Sequence, residues 1–138
     1  MGAEELVLKL KKNVPLFRDF SDMEILQLLK HAKIQPYQQN QVIFREKDPG
    51  HCMYLILSGE VRIHRRTPGG AEQILATLPA GSYFGEMALI DGLPRSAQAS
   101  ARADSTLMAL DEETLAIADP ALVIKLFKSF ARVLSDRL

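Results

Sequence analysis

The sequence predicts a mostly β fold with flanking helices: an eight-stranded antiparallel β-roll of the jelly-roll (double-stranded β-helix) kind, between N-terminal and C-terminal helices. Three observations predict it. Apolar residues recur with helical spacing before about residue 33 and again after residue 110. Between those limits the texture changes to eight short strand-like runs. Turn chemistry separates several of them, in Asp48-Pro49-Gly50, Ser58-Gly59, Thr67-Pro68-Gly69-Gly70 and Pro79-Ala80-Gly81. Short strands at such regular spacing close into an antiparallel sandwich or barrel, and a jelly roll fits the count.

In chain order, residues 4–12 set Leu6, Val7 and Leu10 among charges, as a short amphipathic helix does. Val14-Pro15-Leu16-Phe17 interrupts it. Ser21-Asp22-Met23-Glu24 then reads as a capping box, with Phe20 and Ile25 placed as a hydrophobic staple. Ile25, Leu28, Leu29 and Ala32 give that second helix its buried stripe, and His31 near its end reads as a solvated residue. The strand-like runs are 33–37, 41–44, 52–57, 61–65, 72–78, 83–84, 97–101 and 106–110. In the fourth, Val61 and Ile63 alternate with Arg62 and His64, so His64 is expected on a wet face. Residues 111–118 return to helix. Asp119-Pro120 then opens a last helix as N-cap and N1. Val123, Leu126, Phe127, Phe130, Val133 and Leu134 form its expected apolar stripe, opposite Lys125, Lys128 and Arg132.

A chain of 138 residues is enough for one domain with a proper core and short for two. Its expected parts are helices over 1–33, a β-roll over 34–110 and helices over 111–138. Apolar residues at 47% and charged ones at 25% are ordinary globular composition. Seventeen basic residues balance seventeen acidic ones, so no broad electrostatic footprint for nucleic acid is present and none is expected as a partner through this chain. The N-terminus, Met1-Gly2-Ala3-Glu4-Glu5, is acidic and leads into no long apolar run. A membrane helix and a secretory signal are therefore not expected, and a cytoplasmic location is. The one cysteine, Cys52, stands beside Met53, Tyr54 and Leu55 and reads as a core thiol. His31, His51 and His64 are scattered without Glu or Cys spaced to join them, so no metal site is expected. No nucleophile–base pair shows in the spacing either. The chain reads as no enzyme.

One stretch, residues 81–97, has chemistry beyond a connector. Gly85 directly precedes a helix-capable run over 86–90, and a glycine there lets backbone approach a ligand. N–H groups at a helix start attract an anion, while the Glu86 carboxylate suits a hydroxyl. Gly92-Leu93-Pro94 turns the chain back and delivers Arg95, the side chain best shaped to grip phosphate oxygens, with the Ser96 hydroxyl beside it. Together these describe a pocket for a sugar phosphate.

Phe84-Gly85-Glu86-Met87-Ala88-Leu89 followed by Pro94-Arg95-Ser96-Ala97 resembles the phosphate-binding cassette of cyclic nucleotide-binding domains. Such domains occur in the catabolite activator family, in regulatory subunits of cyclic-nucleotide-dependent kinases and in gated channels. The motif is long and chemically mixed, and the resemblance covers nearly the whole chain. It implies the same β-roll, with Glu86 on the ribose 2′-hydroxyl and Arg95 on the charged phosphate oxygen. Gly85 and Ala97 would supply backbone N–H groups and Ser96 its hydroxyl, with Met87 and Ala88 in the same segment. The family rests its purine on an apolar patch. Alignment on Gly59 and Gly81 puts Ile63 and Leu75 there, with ordinary core as the other reading of each.

The resemblance also implies that the C-terminal helix is a lid over the base and a dimer contact. Arg137, at its end, either stacks on the purine or stays in solvent. The expected ligand is cAMP or cGMP, with a slight lean to cAMP, and Ser96 either reads a guanine amino group or bonds the phosphate. A regulatory sensor that performs no reaction is the leading reading. A pure interaction module, working through the C-terminal helix and its protein partner, is the alternative, and a jelly-roll enzyme of the cupin kind is a distant third. The last helix holds about two to three heptads, which predicts a monomer or a weak homodimer. The chain is expected to be either a stand-alone sensor or a piece of a longer protein.

Overall fold

Runs of β-branched, aromatic and aliphatic residues between turn signals pair as strands because each buries one face against the other sheet. In a computed structural model, which describes residues 2–136, the elements in order are α1 (Ala3–Asn13), a 3₁₀ turn (Pro15–Phe17), α2 (Asp22–His31), β1 (Lys33–Tyr37) and β2 (Val42–Phe44). Then follow β3 (Cys52–Ser58), β4 (Glu60–Arg66), β5 (Glu72–Pro79), β6 (Tyr83–Phe84) and α3 (Met87–Ile90). The chain continues through β7 (Gln98–Ala101), β8 (Ser105–Asp111), α4 (Glu112–Ile117) and α5 (Pro120–Asp136). Every expected strand is present, with ends within one residue of those read from the sequence.

The strands form two four-stranded antiparallel sheets, in the orders β1-β8-β3-β6 and β2-β7-β4-β5. Sequence-distant strands lie side by side, as a jelly roll requires. Both sheets feed one core of Tyr37, Ile56, Val61, Phe84, Ala99, Ala101 and Leu107, with Ile43, Phe44, Tyr54, Ile63 and Leu78 packed against it. The strand β5 is an edge, and it carries a bulge. Ile63 faces Ala76 and His64 faces Ile74, so Leu75 is the extra residue with no partner across the ladder.

The described residues divide into two compact units, the strand unit Lys33–Asp111 and a helical unit from the segments before and after it. In the helical unit the capping box forms as read. The Glu24 N–H donates to Ser21 Oγ at 3.1 Å, and the Ser21 N–H donates to Glu24 Oε1 at 2.8 Å. Asp119 caps α5, its Oδ1 accepting the Ala121 N–H at 2.9 Å. The packed face of α5 is Leu122, Leu126, Ser129, Phe130 and Val133, whereas Leu134 is exposed. This is a one-residue rotation of the expected stripe. Its flanking cations are not simply solvated. Lys125 Nζ bonds Glu24 Oε1 at 2.8 Å, and Arg132 donates to the Pro15 carbonyl at 2.7 Å. Among the described residues no helix is long and apolar enough to cross a membrane.

Candidate functional site

The stretch between β6 and β7 folds back on the strand unit and lines a cavity of about 310 Å³, at the lower end of the span usual for small-molecule sites. Gly85, Glu86, Met87, Ala88, Arg95, Ser96 and Ala97 all line it, and Ile63 supplies part of its apolar wall. Eight of the ten expected site residues therefore meet at one place. Leu75 does not line this cavity. The bulge makes it the unpaired residue of an edge strand, and it is exposed. Arg137 lies outside the described residues.

Arg95 decides the chemistry of this cavity. It is buried, 7% exposed, and its guanidinium reaches back between the strands. Nη1 donates to the Gly85 carbonyl at 3.0 Å and Nη2 to the Cys52 carbonyl at 2.6 Å. Its Cζ sits 4.2 Å from the Phe44 ring centroid and 5.9 Å from that of Tyr54. Tyr54 in turn stacks on Phe84 at 5.2 Å. Nε is buried with no hydrogen-bond partner. Among the described residues no carboxylate forms an ion pair with Arg95. A buried cation held by neutral carbonyls, a thiol and π faces, with no carboxylate paired to it, lacks a counter-charge.

Gly85 is glycine because Arg95 passes so close. Its φ is +76°, and a Cβ there would stand 2.6 Å from Arg95 Nη1. Gly50 makes a second close approach, where a Cβ would lie 2.5 Å from that of Ala88 and 3.2 Å from Arg95 Nε. The Asp48-Pro49-Gly50 turn is thus docked on the cassette and is more than a hairpin turn. The Arg95 N–H donates to the Asp48 carbonyl at 2.9 Å, and the Lys47 N–H donates to the Arg95 carbonyl at 2.7 Å.

Two expectations from the sequence need correction. Cys52 is only partly buried, with Sγ 3.8 Å from Arg95 Nη2, so it borders the site instead of filling the core. His64 does lie on the face opposite Ile63, yet it is buried at 9% exposure. Neighbouring strands cover it: Nδ1 is 2.9 Å from Glu72 Oε1, and Nε2 is 2.9 Å from Ser100 Oγ. Phe44, Gly50, Cys52 and Tyr54 had no local signal as site residues, since each acts by meeting Arg95 from a distant strand or turn. Burial pushes the Tyr54 phenol well up, helped by its contact with Cys52, so it stays neutral.

Fold and cavity together define a binding domain for a small anionic ligand on a β-roll. Residues 34–117 match the family model described as "Cyclic nucleotide-binding domain". The chain belongs to that family and is a cyclic nucleotide-binding regulatory domain. It is 41% identical, over 74% of its length, to a cyclic AMP receptor protein of Thermus thermophilus, of which it covers 47%. The chain thus spans about half the length of that relative. Among solved structures it is similar to a cyclic nucleotide-binding domain from Methylobacillus flagellatus, with TM-score 0.83, 31% identity and coverage of 98% of this chain and 77% of that one. It also resembles the N-terminal domain of a transcriptional regulator from Streptomyces coelicolor, with TM-score 0.81, 28% identity and coverage of 93% and 92%.

Proposed function

We propose that this chain senses cAMP in preference to cGMP, holding the cyclic phosphate on Arg95 and the ribose 2′-hydroxyl on Glu86. The observation that carries this reading is the buried, counter-charge-poor guanidinium on the wall of the cavity. Glu86, half-buried on the same wall, makes no hydrogen bond through its carboxylate among the described residues, which suits a hydroxyl donor. Gly85 and Ala97 border the phosphate through their backbone, and Ser96 is exposed at the rim with its hydroxyl available. Ile63, Leu93 and Met87 offer apolar surface to the base. The lean to cAMP is supported by the name of the Thermus relative, a cyclic AMP receptor.

The C-terminal helix is the responding element in this proposal, and its lid role follows from the family likeness. Its exposed Ile124 and Leu134 leave apolar surface for a protein partner or a second copy in a weak dimer. The proposed site performs no reaction, and the proposed location is cytoplasmic. Calorimetric titration of the chain with cAMP and with cGMP tests the reading. Saturable one-site binding that is tighter for cAMP supports it, tighter cGMP binding overturns the base preference, and binding of neither overturns the assignment. Amide exchange over 130–136 that slows when cAMP binds supports the responding helix. Unchanged exchange there argues against it.

A further inference from the structure

A second cavity, of about 350 Å³, opens on the other face of the β2-β7-β4-β5 sheet, and its lining is polar. Along β4, Val61 belongs to the core and Ile63 packs against it. Arg62 and His64 therefore point the opposite way, into this outer cavity. Gln98 and Ser100 of β7 line it with them, as do Glu46, Glu72, Arg65 and Arg66. None of these eight lines the cavity around Arg95.

Counting donors and acceptors shows what the outer cavity lacks. The Glu72 carboxylate only accepts, so His64 Nδ1 carries a proton and donates it to Oε1 at 2.9 Å. On the other side of the ring, Nε2 and Ser100 Oγ share a hydrogen bond at 2.9 Å. Gln98 Nε2 approaches Ser100 Oγ at 3.5 Å. The imidazole and the Ser100 hydroxyl are thus already bonded to protein groups. Among the donors not spent in this way is the Arg62 Nε–H, which is buried and has no hydrogen-bond partner. An unpartnered charged N–H in a polar cavity favours an acceptor, and a guanidinium edge fits two oxygens at once.

We propose that this outer cavity is a second ligand site, which holds the oxyanion group of a small metabolite on the Nε–H edge of Arg62. The group is a phosphate or a carboxylate. Three arginines, Arg62, Arg65 and Arg66, stand against two carboxylates, Glu46 and Glu72, in the lining, a balance that favours an anion. The site is separate from the cassette and does not depend on how that cavity is used.

The test is NMR on the full chain, following the Arg62 Nε–H and His64 ring signals during titration with inorganic phosphate and, in a second arm, with acetate. A saturable shift of both signals is expected with one or both probes, and the arm that saturates at lower concentration identifies the group. Arg62→Gln should weaken the binding, read at His64, by about tenfold to a hundredfold, the worth of one charge-assisted bond. Arg62→Lys keeps the charge but loses the Nε–H edge, and it should weaken binding comparably. Unchanged melting temperatures show that both variants are folded. The absence of any saturable shift at these residues, or undiminished binding in folded Arg62→Gln and Arg62→Lys, overturns the proposal. Cyclic nucleotide binding at Arg95 can succeed or fail without affecting either result.

Discussion

The guanidinium of Arg95 lies over the ring of Phe44, with Cζ 4.2 Å from the ring centroid. Phe44 is itself within 6.0 Å of Tyr54 and 5.9 Å of Phe84, so the cation rests on a packed aromatic floor. Two carbonyls fix its Nη atoms from the sides. The side chain is therefore ordered before any ligand arrives, and the entropy of holding a long arginine is already spent.

Phe44→Leu should expose the value of that floor. The substitution keeps an apolar side chain but removes the π face beneath the guanidinium. Cyclic nucleotide affinity is expected to fall about twofold to thirtyfold, the range of a cation–π contact from exposed to desolvated settings. Calorimetry measures it directly. Wild-type affinity in the variant would mean that the ring does not position Arg95.

Removing the guanidinium should cost more. Arg95→Ala is expected to weaken cyclic nucleotide binding by about 30-fold to several thousandfold, corresponding to about 2–5 kcal/mol for truncating a buried charged partner. Glu86→Ala should cost less, about 1.5–3 kcal/mol for a bond to a charged group. Arg95→Lys should not restore affinity, because an ammonium cannot reproduce the planar fork. Equal affinities across wild type, Arg95→Ala and Glu86→Ala in competition binding would remove both residues from the site.

A pair of glycine variants separates backbone strain from the collision with Arg95. Gly85 and Gly92 both have positive φ, +76° and +68°, so an alanine strains either one. Only Gly85 has a neighbour in the way, Arg95 Nη1 at 2.6 Å, whereas nothing lies within 4 Å of a Cβ on Gly92. Both variants should lose stability, by about 1–2 kcal/mol for the left-handed conformation. Cyclic nucleotide affinity should drop in Gly85→Ala and survive in Gly92→Ala. Parallel losses of affinity would show that strain alone, not displacement of Arg95, controls the site.

What the sequence made legible was local. The capping box at Ser21 and Glu24 is complete within four consecutive residues, and the strands are bracketed by their own turns. The cassette is contiguous too, so Gly85, Glu86 and Arg95 could be recognised together. What escaped it depends on contacts across the chain. The placement of Leu75 failed because one bulged residue in β5 breaks the two-residue period on which any alignment by spacing relies. His64 was read correctly for its face and wrongly for its exposure, since Glu72 and Ser100 come from strands on either side of it. Phe44 and Gly50 gain their roles only once Arg95 folds between them. On α5 the difference is angular. Each residue turns about 100°, so a stripe fitted to Leu134 instead of Leu122 and Ser129 is displaced by one position.

The last prediction concerns acid stability of the helical unit. Glu24 is held below its ordinary value of 4.5, first by the hydrogen bond from the Lys125 ammonium and then by the Ser21 backbone N–H, against a smaller opposing effect of burial. Both donors favour the carboxylate, so the folded unit prefers Glu24 charged more than the unfolded chain does. The contribution is fully present above the unfolded value and disappears as pH falls through the lower folded value. Glu24→Gln keeps the size and acceptor oxygen of the side chain but cannot titrate. At neutral pH the wild type should be the more stable, by about 0.2–1 kcal/mol, because the pair is partly solvent-screened. That margin should shrink through the acid range and vanish once Glu24 is protonated. Thermal melts of the two proteins from pH 7 down to about pH 3 read the margin, and Lys125→Met should remove most of its pH dependence. A margin that stays constant or widens on acidification would show that Glu24 does not stabilise the fold through its charge.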